Sequence, residues 1–330
     1  MKVLIVTSAY PTPENQAPGI FIKEQVDSLK SLGVDVDVFI VKGKIRTFSY
    51  FFTIPSLWKK LQDNYNLIHA HYGTLGWVGR MQLKVPLVIS FLGDDVLGTP
   101  NKKGKTTCRS QLLVYSHRVL AKMASSVIVQ SDEMKTALGD SKAQIIPYGI
   151  DLSFFNSGNS IESRKVLGLN PKSKYILFAN NPEVPVKNFA LSKDAYKIVK
   201  EAFPNTELIT LAHQPAGQAP VYQPRNKVPL YMNACDALIL TSFHEGSPMV
   251  IKEAMACNLP IVSVDVGDVK KVIGNTKNSF IAERNPEKIA EKIIEIFKSG
   301  ERSNGRENIQ DLEISKIAQR VIEVYKRVCQ

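Results

Sequence analysis

Apolar and polar residues follow each other along the chain in a strand, turn, helix rhythm. Short apolar runs, of the kind that form strands buried on both faces, alternate with longer segments that have helical spacing. In the first half the predicted strands are residues 3–6, 36–41, 67–70, 86–90 and 126–129, and a helix is predicted at 20–32. In the second half, strands are predicted at 175–179, 207–211, 238–240, 261–264 and 279–281, and helices at 189–202, 286–297 and 314–329. This alternation predicts an α/β protein with parallel sheets covered by helices on both faces.

The pattern stops and restarts near the middle of the chain. Residues 147–151 are rich in turn formers, and residues 156–163 are rich in Ser, Asn and Gly. A chain of 330 residues is long enough for two domains of about 150 residues. We therefore expect Rossmann-like domains at residues 1–158 and 159–312, and a C-terminal helix at 313–330 that crosses back to the first domain. Ligands of doubly wound sheets bind at the carboxyl ends of the strands, so the site is expected in a cleft between the two sheets.

The segment from Ser242 to Val266 contains the strongest candidate chemistry. It follows a buried strand, and it has one carboxylate in the loop, Glu245, and a second eight positions later, Glu253. Ser247 and Pro248 are typical of a helix start, with Ser as N-cap and Pro at the first helical position. The N–H groups of such a start can bind an anion, and the two carboxylates can accept from hydroxyls. A sugar nucleotide, with a diphosphate between a sugar and a ribose, needs this combination.

The same segment resembles the E-x7-E signature of the retaining glycosyltransferases of family 4, which have the GT-B fold. Ala254-Met255-Ala256 and Pro260-Ile261-Val262 fit that signature, and residues 146–151 resemble the interdomain signature. The resemblance covers nearly the whole chain and is strongest in residues 228–283. It implies two Rossmann-like domains that face each other across a cleft, and a sugar transferase that uses a nucleotide-diphosphate sugar.

The resemblance also implies roles for individual donor-side residues. Glu253 is expected to hold the ribose hydroxyls, and Glu245 a hydroxyl of the donor sugar. The N–H groups of the helix start and the amine of Lys187 are expected to hold the diphosphate, which makes Glu245 and Lys187 the catalytic candidates. The donor segment consists of Gly246, Ser247, Pro248, Met249 and Val250. Pro248 has no N–H to donate and is included for its place at the helix start. Gly19 is a further donor-side candidate, because the family often has a Gly-Gly pair at that helix start.

Two departures from the family pattern concern the donor site. An Arg that usually precedes the Lys is absent, because Asn180, Asn181 and Pro182 occupy that region. Leu92 stands where the family has a His that contacts the transferred sugar. These departures leave open a chain that binds a sugar nucleotide without turnover, as a partner subunit, and a sugar-nucleotide epimerase with the same fold.

His71, Asp94 and Asp95 are the acceptor-side candidates. Each follows a predicted strand of the first domain, although a loop turn or helix cap would equally explain the two aspartates. His69 and His71 point to the same face of a strand, which is a possible metal pair, but no third ligand follows at useful spacing. Asp35 and Asp37 mimic a metal-binding D-x-D motif, yet they begin a strand directly after a turn. We therefore expect no metal and no cofactor apart from the donor substrate.

Charge and composition bear on the partners and the location. The net charge is +11, and two windows of the first half contain no acidic residue: 38–62, which includes several aromatic residues, and 96–131. Aromatic side chains beside Lys and Arg suit an anionic membrane surface, although the aromatics could equally belong to the core. Four cysteines without paired spacing are typical of reduced thiols, and the first residues do not resemble a signal peptide. We expect a cytoplasmic protein, with possible peripheral binding at the inner face of the cell membrane.

The sequence therefore predicts a retaining, metal-independent glycosyltransferase of the hexosyl or N-acetylhexosaminyl class. The expected partners are a nucleotide sugar and a glycan or lipid-linked acceptor in surface polysaccharide or glycolipid synthesis, and no nucleic acid. The base, the sugar, the acceptor and the oligomeric state have no signal in the sequence.

Overall fold

The computed structural model of the chain describes residues 1–12, 18–41, 50–101, 106–140, 142–213 and 221–330. These residues form two compact units. The first unit contains residues 1–99, 106–149 and 314–330, and the second is built on Ile150–Glu313. The short segment Pro100–Lys105 is also assigned to the second unit, and the chain returns to the first unit for the helix at 314–329.

The first unit is a six-stranded parallel sheet with the order β2-β1-β3-β4-β5-β6. Its elements are β1 Lys2–Thr7, α1 Ile20–Ser31, β2 Asp35–Ile40, α2 Ile54–Lys60, β3 Leu67–His71, α3 Gly73–Arg80, β4 Leu87–Ser90, α4 Asp94–Leu97, α5 Cys108–Met123, β5 Ser126–Val129, α6 Asp132–Leu138 and β6 Gln144–Ile145. Because successive side chains of a strand point to opposite faces, each apolar strand supplies both sides of the sheet. Helices cover both sides, as the predicted continuous apolar runs require.

One layer of helices in the first unit consists of α2, α3 and α5. Leu57 of α2, Leu75 and Val78 of α3, and Leu120 of α5 share one hydrophobic cluster with Leu4 and Ile68 of the sheet. Helices α2 and α5 therefore cover the same side of the sheet, and their outer faces point away from it.

The second unit is a five-stranded parallel sheet with the order β13-β12-β11-β7-β8. Its elements are α7 Ser160–Leu167, β7 Lys174–Phe178, α8 Phe189–Ala202, β8 Thr206–Thr210, β9 Ala212–His213, β10 Val221–Tyr222, α9 Val228–Ala234, β11 Ala237–Leu240, α10 Met249–Ala256, β12 Ile261–Val264, α11 Val269–Ile273, β13 Ser279–Ala282, α12 Pro286–Ser299 and α13 Gly305–Asn308. A short antiparallel pair, β9 with β10, stands apart from the main sheet. Helices α8 and α12 pack against each other, and α12 also contacts β12 and β13.

The last helix, α14 Ile314–Cys329, belongs to the first unit, where it packs against α1. The hydroxyl of Ser28 in α1 donates to the carbonyl oxygen of Ile314, at 3.3 Å. The apolar face of α14 is buried through Ile317, Val321 and Val324. Its position beside α1 follows from this apolar stripe at helical spacing.

The predicted fold class is confirmed, since both main sheets are parallel and are covered by helices. The long predicted helices are present, and the predicted strands match observed ones to within about two residues. The elements that the sequence did not predict are not all short, since helix α5 has 16 residues. They include β6, β9 and β10, each of two residues, and the four-residue helices α4 and α13.

Candidate functional site

Lys187 and Glu245 lie together at the carboxyl end of the second sheet. Lys187 ends a 3₁₀ turn that follows β7, and Glu245 lies in the loop after β11. The Lys187 Nζ is 2.7 Å from Glu245 Oε1, and the Ser242 hydroxyl donates to the same oxygen at 2.6 Å. Both charged side chains are largely shielded from solvent, with 23% and 13% of their area exposed. The pair is a charge-assisted contact between a strand-end turn and the neighbouring strand-end loop.

Backbone hydrogen bonds fix the two loops that carry this pair. The amide of Phe243 donates to the carbonyl oxygen of Val186 at 2.8 Å. The Thr241 hydroxyl lies within hydrogen-bond distance of the carbonyl oxygens of Lys187 and Asn188, at 3.2 and 3.0 Å. The loop after β7 and the loop after β11 are thus held together one residue before Lys187 and two residues before Glu245.

Arg284 supports the β11 loop from the other side. Its guanidinium donates to three consecutive carbonyl oxygens, those of Thr241, Ser242 and Phe243, at 3.1, 2.7 and 3.2 Å. Because these carbonyl oxygens already have hydrogen-bond partners, the loop needs no other backbone pairing, and its side chains remain available at the sheet edge. Sequence reasoning did not identify Arg284, because it lies more than forty residues beyond the loop that it holds.

The loop from Glu245 to Pro248 leads into α10. Helix α10 begins at Met249, and Pro248 is its N-terminal flanking residue. The prediction that Ser247 caps this helix is wrong, because no side chain caps α10 and the Ser247 hydroxyl donates to Asp268 Oδ2 at 2.6 Å. A hydroxyl bond to a carboxylate is stronger than one to a neutral acceptor, which explains the preference.

Gly267 permits a close approach between this loop and the one after β12. A Cβ atom at Gly267 would lie 2.5 Å from the carbonyl oxygen of Gly246 and 2.8 Å from that of Glu245, and its φ of +57° is left-handed. Both features require glycine. The adjacent Asp268 carboxyl has a pKa raised by burial, with Lys252 and Ser247 opposing that shift. Lys252 is fully buried, and burial lowers its pKa to about 8.

Glu253 lies on α10 and pairs with Arg225. The Arg225 guanidinium is 2.5 Å from Glu253 Oε1, and 6% of the Glu253 side chain is exposed. The same guanidinium lies over the ring of Phe155, 4.7 Å from its centroid. Arg225 was missed at the sequence level, since its 28-residue separation from Glu253 follows no helical or strand period. Glu253 is therefore held as an ion pair against the aromatic residues that begin the second unit.

Gly19 lies at the start of α1 in the first unit. It is buried, with a left-handed φ of +67°, and a Cβ atom there would lie 2.0 Å from the carbonyl oxygen of Ala9. The loop after β1 and the start of α1 are in van der Waals contact at this point. The glycine is thus explained by close packing of the backbone, whether or not a ligand is bound.

Of the three acceptor-side candidates, His71 is the last residue of β3, and Asp94 and Asp95 begin α4 after β4. Asp95 is fully buried, and its carboxylate accepts from the amides of Gly73, Leu92 and Gly93 at 3.0–3.2 Å. Burial raises the pKa of Asp95 to about 6, against the opposing effect of these amides. Asp94 is only partly buried at the start of α4.

His71 is buried and forms one hydrogen bond. Its Nδ1 is 2.6 Å from the Tyr148 hydroxyl, while its Nε2 has no partner among the described residues. Burial lowers the pKa of His71 to about 3, so the ring is neutral at physiological pH. The neighbouring His69 is satisfied on both sides, by the hydroxyl of Tyr325 from α14 at 2.6 Å and by that of Ser90 at 2.7 Å.

Among the residues that the structure describes, no group of three or more His, Cys, Asp or Glu side chains is arranged to hold a metal ion. The His69 and His71 rings lie close, with centroids 4.3 Å apart, but the hydrogen bonds of both rings go to hydroxyl groups. Asp37 bonds to Tyr65 and lies 3.2 Å from the amine of Lys60. Asp37 of the D-x-D resemblance is thus part of a strand-edge ion-pair network.

Two family models match the chain. The model for glycosyltransferase family 4 matches residues 2–154, and the model for glycosyl transferases group 1 matches residues 217–311. The two matches fall on the first and second units respectively. Together they cover most of the chain, including the segment with Glu245 and Glu253.

Relatives and solved structures point the same way. A Bacillus subtilis protein assigned provisionally as the teichuronic acid biosynthesis glycosyltransferase TuaC is 26% identical over 89% of this chain and 88% of its own length. An uncharacterised glycosyltransferase of Methanocaldococcus jannaschii is 25% identical over 86% and 82%. Sucrose-phosphate synthase of Thermosynechococcus elongatus superposes with a TM-score of 0.78 at 18% identity, covering 99% of both chains. Anabaena HepE, solved with UDP and glucose, superposes with a TM-score of 0.76 at 19% identity, also over 99% of both chains.

Proposed function

The chain belongs to the family 4 glycosyltransferases of the GT-B fold, and on this basis we propose that it transfers a sugar from a nucleotide-diphosphate sugar to a glycan or lipid-linked acceptor. We further propose that the anomeric configuration is retained, that no divalent metal takes part, and that the product enters surface polysaccharide or glycolipid synthesis. The observation that supports this best is the clustering of Lys187, Glu245 and the start of α10 at one sheet edge. That TuaC, the relative named above, is assigned to teichuronic acid biosynthesis supports the polysaccharide role.

On the donor side, each group has a separate task. Glu253 accepts from the ribose hydroxyls, and Glu245 accepts from a hydroxyl of the transferred sugar. The diphosphate lies against the amine of Lys187 and the segment Gly246, Ser247, Pro248, Met249 and Val250, where the N–H groups of a helix start favour an anion. HepE was solved with UDP-glucose bound, which supports a uridine-type donor for a protein of this fold.

The proposed chemical step takes place on one face of the sugar. The bond from the anomeric carbon to the diphosphate oxygen breaks as the bond to the acceptor oxygen forms on the same face. The acceptor hydroxyl gives its proton to the departing phosphate oxygen, so no protein carboxylate becomes covalently attached. Lys187 stabilises the negative charge that develops on the diphosphate, because a preorganised cation is most effective where charge appears in the transition state.

On the acceptor side, the proposal assigns distinct roles to the three candidates. Asp95 holds three backbone amides and therefore shapes the loop between β4 and α4. Asp94 is less buried than Asp95 and is better placed to accept from acceptor hydroxyls. The buried Nε2 of His71 is available to an acceptor hydroxyl. On the donor side, Gly19 keeps the loop after β1 close to the start of α1.

We also propose a cytoplasmic enzyme that binds peripherally to the inner face of the cell membrane. Among the described residues, no helix combines the length and apolarity needed to cross a bilayer. In the basic and aromatic window at 38–62, Tyr50 is buried, whereas Phe52 and Trp58 are 85% and 53% exposed. Phe48 and Arg46 lie outside the described residues. Exposed aromatics beside Lys59 and Lys60 support a membrane role for this window.

A thermal-shift screen of common sugar nucleotides, followed by a turnover assay with the best donor, tests the proposed function. The expected result is a donor-specific rise in melting temperature, and release of nucleoside diphosphate that increases with a suitable acceptor. Absence of both a shift and release across uridine, guanosine and thymidine diphosphate sugars would reject it.

A further inference from the structure

The positive charge of the chain is concentrated in one stretch of the sequence, most of which belongs to the first unit. Residues 38–131 contain thirteen Lys and Arg and three acidic residues, which gives this stretch a net charge of +10 against +11 for the whole chain. Of the three acids, Asp95 is buried and Asp63 is 3.1 Å from the amine of Lys60. Seven of the cations lie among the described residues, and they are Lys59, Lys60, Arg80, Lys84, Arg109, Arg118 and Lys122.

Exposed apolar side chains are concentrated in the same stretch. Of fifteen large hydrophobic side chains that are exposed among the described residues, eight lie on α2, on α5 or on segments adjoining α2 and α3. These eight are Phe52, Trp58, Met81, Leu83, Leu112, Tyr115, Val119 and Met123. The Trp58 indole donates to the carbonyl oxygen of Met81 at 3.1 Å, which joins α2 to the end of α3.

Helix α5 carries the most regular part of this surface. Leu112, Tyr115, Val119 and Met123 are three or four residues apart, and they are 71%, 64%, 40% and 44% exposed. At about 100° per residue, these four side chains fall within about 80° of one another around the helix. We call them the α5 stripe. The opposite side of α5 is buried through Leu120 and His117, so the stripe is an outer face and not a part of the core.

Cations border the α5 stripe on both sides. By helical position, Arg109 lies beyond Met123 on one side, while Lys122 and Arg118 lie beyond Tyr115 on the other. All three are exposed, and α5 contains no acidic residue. An apolar strip with one cation on one side and two on the other matches the boundary of an anionic bilayer, where apolar side chains enter the acyl region and Lys and Arg contact phosphate groups.

We propose that the α5 stripe and its bordering cations are the principal surface by which the first unit binds an anionic lipid bilayer. This inference rests on the proposed membrane association. It assigns the main bilayer contact to α5, and not to the 38–62 window alone. Helix α2 belongs to the same helix layer, and its exposed Trp58, with Phe52 in the turn before it, provides a second contact. A binding surface of this kind brings an enzyme to an acceptor that is carried on a lipid.

The first test is vesicle sedimentation of the full-length protein. Vesicles of phosphatidylglycerol and phosphatidylcholine are compared with phosphatidylcholine alone. The double variant Leu112→Ser with Tyr115→Ser is expected to bind the anionic vesicles at least about tenfold more weakly, because two apolar side chains no longer leave water. The matched control is Ile161→Ser with Val166→Ser, a pair on α7 of the second unit that is 68% and 67% exposed. The control is expected to bind as the unaltered chain does.

A charge test uses the bordering cations. Arg109→Ser with Lys122→Ser is expected to weaken binding to the anionic vesicles and to reduce its salt dependence, since fewer cations meet the charged surface. Lys165→Ser with Lys172→Ser, two exposed cations of the second unit, serves as the control. Both double variants keep every proposed donor-site residue, so their donor-induced thermal shifts should equal that of the unaltered chain.

A third test locates α5 directly. Cys108 begins α5 and is exposed, as is Cys329, whereas Cys235 and Cys257 are buried. In a Cys329→Ser background, an environment-sensitive fluorophore on Cys108 should gain intensity and shift to shorter wavelength when anionic vesicles are added. The same fluorophore on Cys329, in a Cys108→Ser background, should change little.

The outcomes separate this inference from the wider proposal. If the chain ignores anionic vesicles at low salt, membrane association itself is rejected. If binding persists in the α5 double variants but falls in Trp58→Ser with Lys59→Ser, association stands and the α5 assignment is wrong. If the unaltered chain self-associates in solution and Leu112→Ser with Tyr115→Ser abolishes that, the stripe is a contact between copies of this chain and the proposal is overturned.

Discussion

The amine of Lys187 lies 2.7 Å from a carboxylate oxygen of Glu245, in a loop arrangement fixed by backbone hydrogen bonds. The two side chains with the proposed catalytic roles are thus partners of each other before any donor is bound. An ammonium group has three donor hydrogens, so Lys187 can keep Glu245 and still donate to a phosphate oxygen. The pair then fixes the separation between the sites for the sugar hydroxyl and for the diphosphate.

Replacing Lys187 by Ala should lower kcat by roughly 10²–10³, since one preorganised electrostatic group that faces the leaving diphosphate is lost. Steady-state kinetics with a saturating donor would measure this. Lys193→Ala, which removes an exposed cation from α8, is the control and should leave kcat unchanged. A Lys187→Ala enzyme that is folded and turns over within a few-fold of the unaltered enzyme would show that Lys187 only stabilises the loop.

Replacing Glu253 by Ala should weaken binding of the free nucleoside diphosphate by about 1.5–3 kcal/mol, the range for hydrogen bonds to a charged group. Isothermal titration calorimetry would measure the affinity. Glu207→Ala, which removes an exposed carboxylate from β8 of the same unit, provides the comparison. Because Glu253 also holds Arg225, circular dichroism must show that the variant is folded. Equal affinities for Glu253→Ala and the unaltered chain would remove the ribose assignment.

Turnover is expected to continue in the presence of a strong chelator, because Lys187 and the start of α10 can neutralise the diphosphate without a metal ion. The rate of nucleoside diphosphate release would be measured with chelator and then with added magnesium or manganese. The control is a known metal-dependent glycosyltransferase, which should lose its activity under the same conditions. Loss of turnover that either cation restores would contradict a metal-independent reaction.

Histidine 71 should make the stability of the first unit depend on pH. Burial lowers the pKa of His71 from 6.5 to about 3 in the folded chain. Between these values the unfolded chain binds a proton that the folded ring does not. The free energy of unfolding should therefore fall as the pH drops from 6.5 towards 3, by about 1.4 kcal/mol per pH unit for this group.

Denaturant unfolding of the unaltered chain and of His71→Gln at several pH values between 7 and 4 would measure that effect. The difference between the two curves should shrink as the pH falls, because Gln does not titrate. Asp95 acts in the opposite direction, since its pKa is raised to about 6 and its protonated form is favoured by folding. It is present in both chains, so it cancels in the comparison. Curves that stay parallel would show that folding does not shift the pKa of His71.

The sequence predicted the fold through features that are local in the chain. Apolar runs such as residues 3–6 and 238–240 identify buried strands, and the spacing in residues 314–329 identifies the last helix. The E-x7-E segment likewise placed Glu245 in a loop and Glu253 on a helix, as observed. These features need no knowledge of which strands become neighbours.

The supporting residues of the candidate site could not be predicted in this way. Arg225, Arg284 and Asp268 reach their partners across 28, 41–43 and 21 residues, distances set by the order of strands in the sheet. The failed prediction for Ser247 has the same origin. Its sequence context matches a helix cap, but the acceptor that it uses comes from the loop after β12.

The return of α14 to the first unit has a consequence for biosynthesis. A ribosome releases Ile150–Glu313 before it releases the helix that covers α1 and supplies the Tyr325 hydroxyl to His69. Translation thus completes residues 150–313 of the second unit while the first unit still lacks α14. Since domains generally fold as units during synthesis, the first unit can reach its finished structure only after these residues have been made. A stop codon before that of Ile314 would therefore leave residues 1–149 without the helix that packs against α1 and bonds to His69.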